Sequence, residues 1–242
     1  MIDTHSHINP RDITDVEEKI REIDELEYLK FVINIGLDYE TSKYAIELSN
    51  REEKFYSVIG IHPLYEGTLE SISELYNQSD TSKIVGIGET GLDSSSDLKV
   101  QERKFHESID LANNTQLPLV IHSNNTNYEC LKIIEQHKPK YGFVFHCFQP
   151  NLEVLECIMK MGGFISVGTP ITRVNAKKSL EVIKNVDINQ LLIELDYPYM
   201  SKNAQIDGRN IFNRIRELRG YSYREMEHIL DNNAKRLFRK VI

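Results

Sequence analysis

The chain begins with two histidines one residue apart, at the end of a short apolar stretch. His5 and His7 stand in the run Ile2-Asp3-Thr4-His5-Ser6-His7, which predicts a β-strand. Alternate residues of a strand point to the same face, so both imidazoles would face one space, as two ligands of one metal ion must. A His-x-His pair also occurs on solvated sheet faces, so the pair gains weight only from the rest of the chain.

Further polar residues of ligand type follow later apolar runs. They are His62 (in Gly60-Ile61-His62-Pro63), Glu89, His122, His146 and Asp196. Five of the eight histidines thus follow predicted strands, whereas His106, His137 and His228 fall within predicted helices. Four imidazoles and two carboxylates supply enough ligands for two divalent cations, which together can hold a hydroxide and clamp the oxygens of a displacement at phosphorus. Each residue alone has a plain reading as a cap or loop residue, but one shared site explains them all more economically.

Short apolar runs, rich in β-branched residues, recur along the whole chain. The predicted strands are 2–4, 31–35, 55–61, 84–87, 119–121, 143–145, 164–167 and 191–195. The predicted helices are 15–30, 42–50, 66–76, 99–115, 128–138, 152–161, 175–185, 207–218, one opened by Ser222, and 234–241. Nearly continuous apolar strands are typical of parallel sheets covered on both faces. The alternation predicts an α/β fold, a (β/α)8 TIM barrel with a mostly helical C-terminal third. A doubly wound open sheet is the alternative.

Length and composition indicate one soluble globular domain over residues 1–242. No apolar run approaches the ~20 residues of a membrane span, and no basic-then-apolar segment opens the chain. The three cysteines, none in a Cys-x-x-Cys pattern, argue against a disulfide framework and a thiolate zinc site. We therefore expect a cytoplasmic protein. The formal net charge of −8 argues against unspecific adhesion to nucleic acid, but it permits a local site where metal ions supply positive charge.

Two motifs suggest functions other than a metal site: dinucleotide binding and a thiol nucleophile. Gly86-x-Gly88-x-x-Gly91 matches the dinucleotide-binding fingerprint, but no helix is predicted to open at Gly91, and Glu89 would repel a pyrophosphate. Cys147 beside His146 suggests a thiol nucleophile. Adjacent residues at a strand end point in opposing directions, so we interpret Cys147 as a packing residue.

The motifs, in order, resemble those of the TatD family of metal-dependent deoxyribonucleases. They are Asp3-Thr4-His5-Ser6-His7, Gly60-Ile61-His62-Pro63, Gly88-Glu89-Thr90-Gly91-Leu92-Asp93, Pro118-Leu119-Val120-Ile121-His122-Ser123, Phe145-His146-Cys147-Phe148 and Glu194-Leu195-Asp196-Tyr197-Pro198-Tyr199. The resemblance implies an amidohydrolase-type barrel and hydrolysis of DNA at two divalent ions, with Mg, Mn and Zn all open. It implies that His5, His7, Glu89 and Asp196 hold one ion, and that Glu89, His122 and His146 hold the other. His62 would contact phosphate or assist proton transfer, and Asp196 would orient or deprotonate the attacking water.

The sequence departs from the family pattern on the rim that would meet substrate. Asn124 stands where the family usually has an arginine, and Gln149-Pro150 replaces a small residue and glycine. Leu195 and the run Ser94-Ser95-Ser96 are further departures. Arg173, Lys177, Lys202 and Arg209 are candidate contacts to a DNA backbone. Three alternatives stay open: a metallohydrolase acting on a non-DNA ester or amide, a nuclease subunit that needs partner proteins, and a binding subunit.

Overall fold

Eight parallel strands form one sheet in the computed structural model, which describes residues 1–241. The strands are β1 (Ile2–Ser6), β2 (Phe31–Ile35), β3 (Phe55–Ile59), β4 (Ile84–Asp93), β5 (Leu119–Asn124), β6 (Phe143–Phe145), β7 (Phe164–Val167) and β8 (Leu191–Ile193). They pair in chain order from β1 to β8, each parallel to the next. This order confirms the TIM barrel and excludes the doubly wound sheet, in which the strand order reverses at a switch point.

Helices cover the outside of the sheet, between successive strands and after β8. They are α1 (Val16–Glu25), α2 (Tyr39–Arg51), α3 (Leu69–Gln78), α4 (Leu98–Thr115), α5 (Asn127–His137), α6 (Leu152–Lys160), α7 (Lys177–Asn185), α8 (Ala204–Arg219) and α9 (Tyr223–Leu237). Two short 3-10 helices, Thr169–Thr172 and Ile188–Gln190, flank α7. Within residues 1–241, no helix is both long and apolar enough to cross a membrane. One domain over the whole chain stays a prediction.

Several boundaries differ from the sequence expectation. β1, β4 and β5 run on to Ser6, Asp93 and Asn124, because backbone pairing continues past the apolar run; Asp93 still pairs with Asn124. The separate helix expected over 234–241 was wrong. Its first residues belong to α9, which begins at the capping box of Ser222 and ends at Leu237. Polar residues thus lie within the extended strands and not on the loops that follow them.

The seam between β8 and β1 is joined by hydrogen bonds near the carboxyl ends of the two strands. The Thr4 hydroxyl donates to the Ile193 carbonyl at 2.9 Å, and the Asp196 amide donates to the His5 carbonyl at 2.7 Å. The buried carboxylate of Asp3 also accepts from the Leu195 amide at 2.9 Å. These bonds bring Asp196 beside His5, although the two residues lie at opposite ends of the chain.

Candidate metal centre

The predicted site residues meet at the carboxyl ends of the strands. His5, His7, His62, Glu89, His146 and Asp196 are buried, and the His122 side chain is 18% exposed. The physical reason is the alternation of side chains along a strand. Val120 and Val144 belong to the apolar cluster inside the barrel, so His122 and His146, two residues further on, also face inward.

Glu89 lies at the centre, and its two oxygens face different imidazoles. Oε2 lies 3.3 Å from His5 Nε2 and 3.7 Å from His7 Nε2. Oε1 lies 2.7 Å from both His122 Nδ1 and His146 Nε2. One carboxylate therefore stands between two groups of ring nitrogens, which is the arrangement a bridging ligand needs.

Groups of three ligand atoms within 4.8 Å of one another overlap at this carboxylate. They are His5 with His7 and Asp196, His5 with Glu89 and His146, and His62 with Glu89 and His122. The division implied by the family resemblance is compatible with these distances, since His7 Nε2 lies 3.4 Å from Asp196 Oδ1 and His122 Nδ1 lies 3.3 Å from His146 Nε2.

Hydrogen bonds assign the free nitrogen of two imidazoles. His7 Nδ1 donates to the Ile35 carbonyl at 3.1 Å, which leaves Nε2 as the ring nitrogen that faces His5 and Asp196. His122 Nε2 donates to Asp93 Oδ2 at 2.9 Å, which leaves Nδ1, 2.7 Å from Glu89 Oε1, as the ring nitrogen available to a cation. A carbonyl or carboxylate behind an imidazole is the usual support of a metal-binding histidine.

His62 has the opposite arrangement. Its Nδ1 accepts a hydrogen bond from the Leu64 amide at 3.2 Å, so in the neutral ring Nε2 carries the proton. That Nε2 lies 3.6 Å from Glu89 Oε1. His62 therefore presents a hydrogen-bond donor to the centre, whereas Nε2 of His7 and Nδ1 of His122 are the ring nitrogens available to a cation.

The pKa values at the centre show that it favours positive charge beside Glu89. Burial alone would raise the pKa of Glu89, but the surrounding imidazoles, His146 first, lower it well below its ordinary value. Burial alone would lower the pKa of His146, but the charge and hydrogen bond of Glu89 raise it to about 10. Burial lowers the pKa of His5 and of His62 to about 4, so these rings are neutral at pH 7. A buried carboxylate surrounded by imidazoles, which bind a cation once they have lost their protons, forms a donor set that fits Zn, Mn, Fe or Co.

Two buried acids behind the histidines were missed by the sequence reasoning. Asp93 accepts from His122, as described, and from the Ser95 hydroxyl at 2.5 Å. Glu194 Oε1 lies 3.9 Å from His146 Nδ1 and accepts from the Cys147 amide at 2.6 Å. A signal for Glu194 was present, because it stands two residues after the inward-facing Leu192.

Two aromatic rings also stand beside the centre. The Tyr199 ring lies 5.0 Å from the His7 ring, and the Tyr65 ring lies 5.5 Å from the His62 ring. Arg11, which the sequence reasoning did not consider, holds its guanidinium 4.9 Å from the centroid of Tyr65 and pairs with Asp38. The structure thus places a cation and two tyrosines on the rim near His7 and His62.

The four residues predicted to contact a DNA backbone lie in different places in the structure. Arg209 was a wrong candidate, because its guanidinium lies over the Tyr28 ring beside Met1, at the amino end of β1 and away from the centre. Lys202 donates to the Pro198 carbonyl at 2.7 Å. Arg173 and Lys177 are exposed. Arg173 acts electrostatically on Cys147, the neighbour of His146. The role of Arg173, Lys177 and Lys202 in binding DNA stays a prediction.

The two competing motifs have structural explanations. All three glycines of Gly86-x-Gly88-x-x-Gly91 lie within β4. A Cβ on Gly91, at φ +131°, would lie 2.1 Å from the His122 carbonyl oxygen, so this glycine permits the close approach of β4 and β5. Burial and the nearby acids, Glu194 first, raise the pKa of Cys147 well above its ordinary value. The thiol is therefore protonated at pH 7 and a poor nucleophile.

Comparison with known proteins identifies the family of the chain. The family described as TatD related DNase matches residues 2–239. The chain belongs to this family of metal-dependent hydrolases. The chain is 34% identical over 253 residues to YabD of Bacillus subtilis (strain 168), described as an uncharacterized metal-dependent hydrolase, with 99% of each chain covered. The family resemblance predicted from the motifs is confirmed.

Solved structures agree with the fold. The crystal structure of YjjV, a TatD homologue from Escherichia coli K12, has a TM-score of 0.89 and 26% identity, and the match covers 99% of this chain and 98% of that one. A TatD family hydrolase from Entamoeba histolytica has a TM-score of 0.84 at 20% identity, covering 98% and 97%, and shows the fold alone. The barrel and the class of metal-dependent hydrolase are thus common to this chain and its relatives.

Proposed function

We propose that this protein is a metal-dependent phosphodiesterase that cleaves DNA by means of two divalent cations, Mg²⁺, Mn²⁺ or Zn²⁺. The observation that carries the proposal is the position of Glu89, whose two oxygens face separate groups of imidazoles. His5, His7 and Asp196 would hold one cation, His122 and His146 the other, and Glu89 would bridge them. Such cations, when bound, lower the pKa of water and neutralise charge on phosphoryl oxygens.

Two residues are suited to proton chemistry at this centre. Burial alone would raise the pKa of Asp196, but hydrogen bonding to His7 and the nearby imidazoles lower it, so its carboxylate is ionised at pH 7. An ionised carboxylate orients an attacking water and accepts its proton. His62 offers an Nε2–H toward Glu89 and can donate that hydrogen bond to a phosphoryl oxygen or to the leaving oxygen.

DNA is the proposed substrate because of the rim and the family. Tyr199 is 45% exposed and lies beside His7, where it offers a face on which a base can stack. Arg11 supplies a positive charge on the same side, although Asp38 partly neutralises it. The family description names a DNase, which supports the same substrate.

The test is a cleavage assay with metal-stripped protein on end-labelled single-stranded DNA, with Mg²⁺, Mn²⁺ or Zn²⁺ added back. We expect metal-dependent cleavage, and its loss in Glu89→Gln. The exposed residue Glu70 on α3 offers a matched control, since Glu70→Gln makes the same chemical change at a residue that is not part of the centre. Cleavage of small esters with no cleavage of DNA by the same metal-loaded preparation would contradict the proposal and favour a non-DNA substrate.

A further inference from the structure

A cavity of about 340 Å³ opens from one side of the metal centre. His122, His146 and Asp196 form the boundary that it shares with the centre. Its other walls come from the segments that follow β5, β6 and β7, from α7 and from Met200 after β8. The rim tyrosines, Tyr65 after β3 and Tyr199 after β8, are not among its lining residues. A volume at the lower end of the range for small-molecule sites suits one compact group and not several.

The lining of this cavity is mostly apolar, and its acidic and basic side chains, His122, His146 and Asp196, all lie at the boundary with the centre. The apolar wall includes Phe148, Pro150, Val167, Ile171, Val182 and Met200. Among the described lining residues there is no lysine or arginine, and Asp196 at the boundary is the one carboxylate. An anionic group such as a second phosphate would be poorly solvated here. The cavity therefore favours a neutral group joined to whatever the centre hydrolyses.

Two amide side chains stand where the apolar wall meets the centre. Gln149 Nε2 donates to Asn124 Oδ1 at 2.9 Å, and Asn124 Nδ2 donates to Asp93 Oδ2 at 3.2 Å. Asp93 in turn accepts from His122. Each amide nitrogen keeps a second N–H for which the described residues supply no acceptor. Neutral donors are thus held in place beside an apolar wall.

We infer that this cavity binds the nucleobase of a nucleotide whose phosphate lies at the metal centre. A nucleobase is uncharged, has apolar faces and carries hydrogen-bond acceptors on its edges, which matches the apolar wall and the amide donors. The inference rests on the proposed function and adds a subsite to it. Gln149 and Asn124, which are departures from the family pattern and carry the amide donors, then act as residues that determine base specificity.

The test measures binding of two ligands that differ only by the base. Thymidine 5′-monophosphate and 2-deoxyribose 5-phosphate are titrated by calorimetry into the Mn²⁺-loaded chain. We expect the nucleotide to bind about tenfold or more tightly, because the base adds stacking and hydrogen bonds that the sugar phosphate lacks. Equal affinity for the two ligands, or no binding of either, would overturn the inference without any variant.

A variant that fills the cavity tests whether the base binds there. Ser179 of α7 lines the cavity and is half-buried, and the neighbouring Lys178 is exposed and outside the lining. Ser179→Trp should bring the affinity for the nucleotide down to that for the sugar phosphate, whereas Lys178→Trp should keep the preference. A preference that survives in a folded Ser179→Trp variant would place the base elsewhere and overturn the inference.

The experiments distinguish an error in the inferred base-binding cavity from an error in the proposed reaction. A base preference in the binding assay, together with no cleavage of DNA, would support the cavity and contradict the phosphodiesterase proposal. Cleavage of DNA by a chain that binds both ligands equally would support the reaction and overturn the subsite.

Discussion

The two ends of the barrel are built from the same strands, but one end is apolar and closely packed and the other carries the charged metal centre. At the amino end, the inward-facing side chains pack with Leu237, Phe238 and Val241 into one apolar cluster. At the carboxyl end, the next inward positions carry imidazoles and carboxylates, as in Val120 followed by His122. Along one strand, inward positions that are two residues apart have different roles. One packs in the apolar cluster and stabilises the fold, and the next belongs to a charged site that favours a cation.

Residues 237–241, which follow α9 or end it, close the amino end of the barrel. Phe238 is fully buried, and its ring lies 3.5 Å from the position that a Cβ on Gly86 would take. The carboxyl end instead remains open to a cavity and a rim. If this division is correct, substitutions at one end should change stability and those at the other should change metal binding and activity.

The largest effect should follow Glu89→Gln. The substitution keeps the shape of the side chain but removes the charge that faces both groups of imidazoles. We expect hydrolysis to fall about a thousandfold, in line with the loss of one essential electrostatic group. Hydrolysis rate, metal content and circular dichroism should be measured together. Near wild-type turnover at verified metal content would place the chemistry elsewhere.

Phe238→Ala should have the converse effect. Removing a fully buried aromatic side chain from the amino end leaves a cavity and costs about 3–5 kcal/mol of the free energy of unfolding. Denaturant titration measures this loss. At a temperature where the variant is folded, its metal affinity should equal that of the wild type. A large change in metal affinity without loss of stability would mean that the two ends are coupled.

The carboxyl end should also make the metal-free protein sensitive to acid. Burial lowers the pKa of His62 to about 4, below the 6.5 of an unfolded chain. The unfolded state therefore binds the proton first, so the contribution of this residue is present above pH 6.5 and is lost as the pH falls to about 4. The full loss is about 3 kcal/mol. Denaturation of wild type and His62→Gln between pH 7 and 4 tests this, and identical slopes would contradict it.

Asp93→Asn should give the smallest of these effects. Asp93 accepts the Nε2 proton of His122 and thereby keeps Nδ1 directed toward Glu89. Loss of such support typically costs about 10–100-fold in metal affinity or activity. Asp97→Asn is the matched control, because Asp97 is an exposed helix cap and Asn caps helices equally well. Equal metal affinity in both variants would assign Asp93 a purely structural role.

Much of the division between an apolar amino end and a polar carboxyl end could be predicted from the sequence. Short apolar runs located the strands, and the rule that barrel sites form at the carboxyl ends located His62, His122 and His146. The position of Glu89 between two groups was harder to derive. β4 shifts register against β3 near Val58 and against β5 near Thr90, so side-chain alternation along β4 is interrupted.

The parts that sequence reasoning missed depend on contacts between distant segments. Asp93 and Glu194 were visible within motifs, but their partners, His122 and His146, lie on other strands. Arg209 was misplaced because the loop after β8 brings the start of α8 against Tyr28, whose hydroxyl donates to the Ala204 carbonyl at 2.6 Å. Periodicity identifies a helix but not the end of the barrel on which its residues lie.

The number of divalent ions bound per chain tests the central claim most directly. Metal-stripped protein is dialysed against Mn²⁺ or Zn²⁺, and metal content is measured by elemental analysis for wild type, Glu89→Gln and the Glu70→Gln control. A carboxylate that serves two groups of ligands predicts two ions in the wild type and in the control, and one or none in Glu89→Gln. A single ion in the wild type, or two in Glu89→Gln, would contradict the account of a centre bridged by Glu89.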